Sequence, residues 1–268
     1  MEKIWFKNYE PGVRHEVDTN EFASIPDVFR QAVGQFRDRP AMANMDKVLS
    51  YGELDVLSRE FGSYLQNTLR LARGSRVAVM MPNLLQYPVA VFGILRAGYT
   101  VVNVNPLYTP RELEHQLKDA GADAIVIVEN FASVLEQVIR RTPVTQVIVT
   151  GVGDLLGFPK RTIVNFVLRK VKKMVPPYRL PGHVRFLDAL AAGRQASCED
   201  AALTHDDIAF LQYTGGTTGV SKGAMLTHGN IVANMQQAAE WVKNQVRPGQ
   251  EIIVTALPLY HIFSLRKR

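Results

Sequence analysis

A chain of 268 residues, 47 % apolar and 21 % charged, is long enough for a substantial core and too mixed in composition for a disordered or fibrous protein. Its formal net charge of +6 is concentrated: residues 159–185 hold eight of the 31 basic residues and no acid, leaving 23 basic against 25 acidic residues elsewhere. That excludes the evenly basic face of a nucleic-acid coat, and the single cysteine, Cys198, excludes an internal disulfide and fits a reducing compartment.

The first residues, MEKIWFKNYEPG, are charged and carry no long apolar run, so no secretory leader is expected. No stretch approaches the ~20 apolar residues of a membrane helix. Residues 20–72 read as helical. Ile25, Val28, Phe29, Ala32, Val33 and Phe36 recur at helical spacing, as do Leu54, Leu57, Phe61, Tyr64 and Leu65. The rhythm then changes. RVAVMMPN predicts a strand closed by Pro82-Asn83, LLQYPVAVFGILRAG a buried helix ending at Gly98, and YTVVNVNP a second strand. TPRELEHQLKDAG predicts a helix with Thr109 as N-cap, Pro110 at its first position, Glu112 completing a capping box and Gly121 closing it. DAIVIVE, FASVLEQVIRR and TQVIVTG continue as strand, helix, strand. Continuously apolar strands alternating with helices predict an α/β fold with a mostly parallel sheet covered on both faces. Ligands of such sheets bind beyond the carboxyl ends of the strands.

Residues 176–207 read as a looser connection, and a subdomain boundary is placed near 200. Residues 1–200 then form a first α/β subdomain with its N-terminal helical region, and 201–268 begin a second one. In the latter, IAFLQY predicts a strand, HGNIVANMQQAAEWVKNQ a helix, and EIIVTALPLYHIF a strand and loop.

Between the first two lies QYTGGTTGVSKGAML. Gly215, Gly216 and Gly219 let the backbone approach an anion closely. Thr214, Thr217, Thr218 and Ser221 supply hydroxyls, and Lys222 a point charge. Phosphate binding is the natural reading, with a plain linker or hairpin as its alternative. A Walker A loop is excluded, because Ser221 stands where the glycine before the lysine should be and Gly223 where Ser or Thr should follow. GVGDLLG at 151–157 is one residue too long for a dinucleotide fingerprint and reads as a turn. His15, His115, His183, His205 and His228 show no metal-ligand spacing and read as structural.

YTGGTTGVSKG resembles the phosphate signature of the adenylate-forming superfamily, which includes acyl-CoA synthetases, peptide-synthetase adenylation domains and luciferases. MMPNLLQYPVAVFGILRAG, VVNVNPLYTPRELEHQL, FLQYTGGTTGVSKGAMLTHGN and IIVTALPLYHIF resemble, more closely, bacterial long-chain fatty-acid CoA ligases of the FadD type, nearly from Met1 to Phe263. The resemblance implies an incomplete N-terminal domain of the adenylate-forming fold. Its substrates would be a long-chain fatty acid, ATP with Mg2+, and CoA as co-substrate. Tyr213, Thr214, Gly215, Gly216, Thr217, Thr218, Gly219, Val220, Ser221, Lys222, Gly223 and Ala224 would hold the ATP phosphates, with Thr214 also contacting magnesium. Lys222 and His261 would be catalytic, and Tyr260 and His261 would lie near the acyl and adenylate groups.

Members of that family are much longer. Their adenine pocket, acidic magnesium ligand, ribose-binding acid and C-terminal catalytic lysine have no counterpart in these 268 residues. The closing SLRKR reads as a frame change or premature stop. The resemblance therefore implies a truncated chain with negligible ligase activity alone and an exposed sheet edge. A homodimer, or a second polypeptide supplying the missing half, is the partner expectation. The alternatives are one half of a split ligase and a non-catalytic nucleotide- or membrane-binding module. Finally, TIVNFVLRKVKKMV, residues 162–175, predicts a basic amphipathic helix. Its expected partner is either an anionic bilayer, giving a cytoplasmic protein peripheral to the inner face of the membrane, or simply solvent.

Overall fold

The computed structural model describes residues 2–214 and 221–261. Helix α1 (Ile25–Phe36) leads into a hairpin of β1 (Pro40–Asn44) and β2 (Lys47–Ser50), followed by α2 (Tyr51–Ser63). The middle of the chain alternates: β3 (Arg76–Met80), α3 (Gln86–Arg96), β4 (Thr100–Asn103), α4 (Pro110–Ala120), β5 (Ala124–Val128), α5 (Ala132–Glu136) and β6 (Gln146–Thr150). Then come α6 (Lys160–Phe166), β7 (Val184–Arg185), α7 (Phe186–Gly193), β8 (Ile208–Thr214), β9 (Lys222–Thr227) and α8 (His228–Val242). Strands β3 to β9 form one sheet in the order β7-β6-β5-β3-β4-β8-β9, parallel except for the β8–β9 pair. The predicted α/β architecture is therefore present.

Side-chain alternation divides the core in two. Val77, Val79, Val101, Ala124 and Val126 face one side with α1, α2, α3, α7 and α8. Ala78, Met80, Val102, Ile125 and Ile127 face the other with α4 and α5. Crossover handedness explains this partition. The chain steps from β3 to β4 in one direction across the sheet and from β4 to β5 in the opposite direction. Right-handed connections then put α3 and α4 on opposite faces. The connections leaving the carboxyl ends of β3 and β4 consequently diverge to opposite faces, the arrangement at which such sheets bind ligands.

The helix signals act as the sequence predicts. Thr109 and Glu112 form the capping box of α4, and Gly121 closes it in the left-handed region at φ 59°. Ser50 and Glu53 do the same for the start of α2. The helical layer carries one buried cation. Arg96, 1 % exposed, donates to an Asp55 carboxylate oxygen at 2.9 Å, to the Asp55 carbonyl at 3.0 Å and to Ser58 at 2.9 Å, and lies 3.2 Å from Asp200. Nearby, α7 crosses α2 in backbone contact, since a Cβ on Gly193 would stand 1.8 Å from the Glu60 carbonyl oxygen.

Several expectations need correction. The helical reading of 20–72 overlooks the β1–β2 hairpin. Met45 and Asp46 both adopt positive φ there, 47° and 59°, as a two-residue type I′ turn requires. The loose connection at 176–207 contains α7, docked through Phe186, Ala189 and Leu190. The glycine–threonine loop does not run into a helix. It joins the antiparallel strands β8 and β9, so Lys222 opens a strand. Within the expected strand and loop of 251–263, residues 251–261 have no ladder partner among the described residues and follow an irregular path with Ile252 92 % exposed. The segment after residue 200 continues the same sheet, because β8 pairs in parallel with β4. The amphipathic helix begins as α6 and ends in a wide turn at Val167–Val171, with apolar residues on its outward side as well as its inward one.

Candidate functional site

The loop strands bring the predicted phosphate residues to one place. Register pairs Thr214 with Lys222, Tyr213 with Gly223 and Gln212 with Ala224. Directly opposed residues share a face of the sheet, so Thr214 and Lys222 lie on one face at the loop end of the hairpin. Both are exposed. Gly215, Gly216, Thr217, Thr218, Gly219 and Val220 lie outside the described residues.

Both limbs of the hairpin are held by the chain around α4. Tyr213 donates its phenol proton to Asp119 at 2.6 Å. Burial, reinforced by that carboxylate, raises the Tyr213 pKa and keeps the hydroxyl a donor. On the other limb the Nε2 of His115 lies 3.2 Å from the Ser221 carbonyl oxygen. Since a carbonyl only accepts, this nitrogen carries the proton. Burial raises the pKa of the neighbouring Tyr108 hydroxyl. Gly223 is obligatory opposite Tyr213, because a Cβ there would stand 2.9 Å from Cε2 and Cζ of the ring.

Tyr260 and His261 lie at the end of a segment that crosses the carboxyl ends of β3, β4 and β8. Asn83, just after β3, donates to the carbonyls of Thr255 (3.0 Å) and Leu257 (2.9 Å) and accepts from the Leu259 N–H (2.7 Å). The Tyr87 hydroxyl lies 2.7 Å from Asn103 Oδ1 and 2.9 Å from the Leu259 carbonyl. Asn103 donates to Gln212 Oε1 (3.1 Å), and Gln212 donates to the Tyr260 carbonyl (3.1 Å). Tyr87, Asn103 and Gln212 are all buried. Tyr87 has its pKa raised by burial, against a lowering from Asn103. The His261 N–H donates to the Pro258 carbonyl, and the residue is exposed.

The sequence reading missed Asn83, Tyr87, Asn103 and Gln212. The available signal was a polar residue inside each of three buried apolar runs: Tyr87 in LLQYPVAVF, Asn103 in VVNV and Gln212 in IAFLQY. A buried polar side chain is the informative exception in a core. Among the described residues no cluster of three or more His, Cys, Asp or Glu could cage a metal. None of their helices is long and apolar enough to cross a membrane.

The sequence that builds this sheet, hairpin and aromatic–histidine segment matches the family of AMP-binding enzymes over residues 29–267, and the chain belongs to that family. Over 99 % of its length it is 54 % identical to a long-chain-fatty-acid–CoA ligase of Escherichia coli O6:H1 and 55 % identical to one of Haemophilus influenzae. It covers 47 % and 48 % of those two proteins, so the chain spans about half the length of the curated relatives it matches. A crystal structure of a long-chain-fatty-acid–CoA ligase from Archaeoglobus fulgidus superposes with a TM-score of 0.75 at 23 % identity, over 96 % of this chain and 46 % of that one. At that identity the likeness is one of fold.

Proposed function

We propose that the chain carries the ATP-phosphate and acyl-handling part of an AMP-forming long-chain fatty-acid CoA ligase. The observation that carries this reading is the opposed Thr214–Lys222 pair at the mouth of the β8–β9 loop, in a chain 54 % identical to such a ligase. In the reaction, a fatty-acid carboxylate oxygen bonds to the α-phosphorus of ATP. The bond from that phosphorus to the bridging oxygen breaks, and pyrophosphate leaves. The CoA thiolate then bonds to the acyl carbon, the carbon–oxygen bond to AMP breaks, and acyl-CoA forms. Little covalent work falls to the protein, whose task is positioning and neutralising phosphate charge.

Lys222 places its ammonium against the β- and γ-phosphates, and Tyr213 to Ala224 supply the rest of their binding loop. Thr214 offers a hard hydroxyl oxygen. That suits magnesium carried on substrate phosphates, which takes few protein ligands and keeps its waters, rather than magnesium in an all-protein cage. Tyr260 and His261 border the acyl and adenylate end.

Titration of the 268-residue chain with MgATP tests the loop. Lys222→Ala and Thr214→Val are expected to weaken binding by at least tenfold, and a chain that binds no MgATP would refute the assignment. Fatty-acid-dependent AMP formation, assayed with and without a second polypeptide spanning the rest of the E. coli relative, tests the ligase reading.

The finer partner proposal is an anionic lipid surface at the cytoplasmic membrane. Phe158 is 84 % and Phe166 58 % exposed, joined by exposed Ile163, Val171 and Met174. Lys170, Lys172 and Lys173 are exposed in the same segment. Such a surface inserts apolar side chains while its cations meet lipid phosphates. Co-sedimentation with phosphatidylglycerol vesicles, lost in Phe158→Ser/Phe166→Ser, supports it; equal binding to neutral vesicles would sink it.

A further inference from the structure

Residues 255–261 have no regular secondary structure, yet they lie across the carboxyl edge of the sheet. Backbone groups outside a helix or ladder must find other partners, and here side chains supply them. Asn83 satisfies three of these groups and Gln212 a fourth, while the single Tyr87 hydroxyl proton is shared between the Leu259 carbonyl and Asn103 Oδ1. These side chains are themselves joined, since Tyr87 contacts Asn103 and Asn103 donates to Gln212. Asn103 is fixed from below, where its carbonyl accepts from Gln116 at 2.7 Å.

This polar layer spans three strands. Asn83 follows β3, Asn103 ends β4, and Gln212 sits in β8 two residues before Thr214. Polar groups buried among strands of Val, Ile and Leu cost stability unless every one is satisfied. A core built for packing alone would place apolar residues at these positions.

We infer that Asn83, Tyr87, Asn103 and Gln212 form a positioning layer that fixes the Tyr260–His261 segment in register with the Thr214 limb of the phosphate loop. None of the four is a catalytic residue. Gln212 is the link: its backbone lies in the strand that carries Thr214, while its side-chain amide holds the carbonyl of Tyr260. The functional consequence rests on the ligase reading. Under it, the layer sets the distance between the carboxylate end of the acyl group and the nucleotide phosphates, a distance to which adenylation is acutely sensitive.

Hydrogen exchange of the 268-residue chain, without ligand, tests the layer. Tyr87→Phe and Asn83→Ala are expected to accelerate exchange of the 255–261 amides at least tenfold. Exchange in β5 and β6 should stay as in the parent chain, which shows that the sheet remains folded. Asn83→Asp keeps an acceptor for the Leu259 N–H, so it should restore protection of that amide. A role in packing alone would give none of this pattern. Unchanged exchange at 255–261 in both variants would overturn the inference, as would equal acceleration across the whole sheet. MgATP affinity is measured in parallel and should stay within twofold in Tyr87→Phe. If the parent chain binds no MgATP, the phosphate-loop reading fails, while the exchange result still decides whether the layer exists.

Discussion

Lowering the pH from 7.5 to 5 should destabilise the protein through one buried imidazole, that of His228. The residue is 1 % exposed at the first position of α8. Its Nδ1 accepts the N–H of Ile25 at the start of α1 at 3.2 Å, so this nitrogen carries no proton. Burial lowers its pKa from the ordinary 6.5 to about 4, against the opposing pull of Asp207 and Asp27, and with some help from His205. The unfolded chain therefore takes up the proton first. The stabilising contribution is complete above pH 6.5 and is lost as the pH falls toward 4. With those two values the loss at pH 5 is about 2 kcal/mol, rising to about 3 kcal/mol below pH 4. The assay is urea unfolding of the parent chain and of His228→Asn at pH 7.5 and pH 5. The Asn side-chain oxygen can still accept from Ile25 but does not titrate. The other histidines are common to both proteins, so the difference between the two losses isolates His228. Equal losses in the two proteins would refute the reasoning.

Three further perturbations follow from the packing. Arg96→Met removes the buried cation but leaves Asp55 and Asp200 facing each other, and should cost about 3 kcal/mol in urea unfolding; Asp55→Asn should recover part of it. Gly193→Ala drives a methyl group into the Glu60 carbonyl and should cost about 3 kcal/mol or force α7 off α2, seen as a lowered thermal midpoint. Met45→Asn with Asp46→Gly suits the type I′ turn better than the native pair and should raise stability by about 1 kcal/mol.

The α/β core was legible because each signal was local. Continuous apolar runs marked β3 to β6, and Thr109, Glu112 and Gly121 marked both ends of α4. The glycine–threonine hairpin was legible as a loop but not in shape: LysGlyAlaMetLeuThr alternates too weakly to predict β9, which forms by pairing with the buried β8. The β1–β2 hairpin was hidden because Met-Asp is a poor advertisement for a turn that needs two positive φ values. The strand expected to open the 251–263 stretch requires a ladder partner, and pairing is a non-local property. The polar residues stood out in their apolar runs, but their joining into one layer was hidden for the same reason. Gln212 is more than a hundred residues from Asn83, Tyr87 and Asn103 along the chain, and the sheet order β3-β4-β8 brings it beside them.

The stacking of Tyr213 on Gly223 also restricts how this hairpin can diverge over time. A side chain at 223 collides with the ring, while a small residue at 213 abandons the bond to Asp119 and leaves a hollow over the glycine. Neither position can drift first without penalty. Lineages carrying this loop should therefore change the two sites together, with glycine at 223 given up only where 213 has lost its ring.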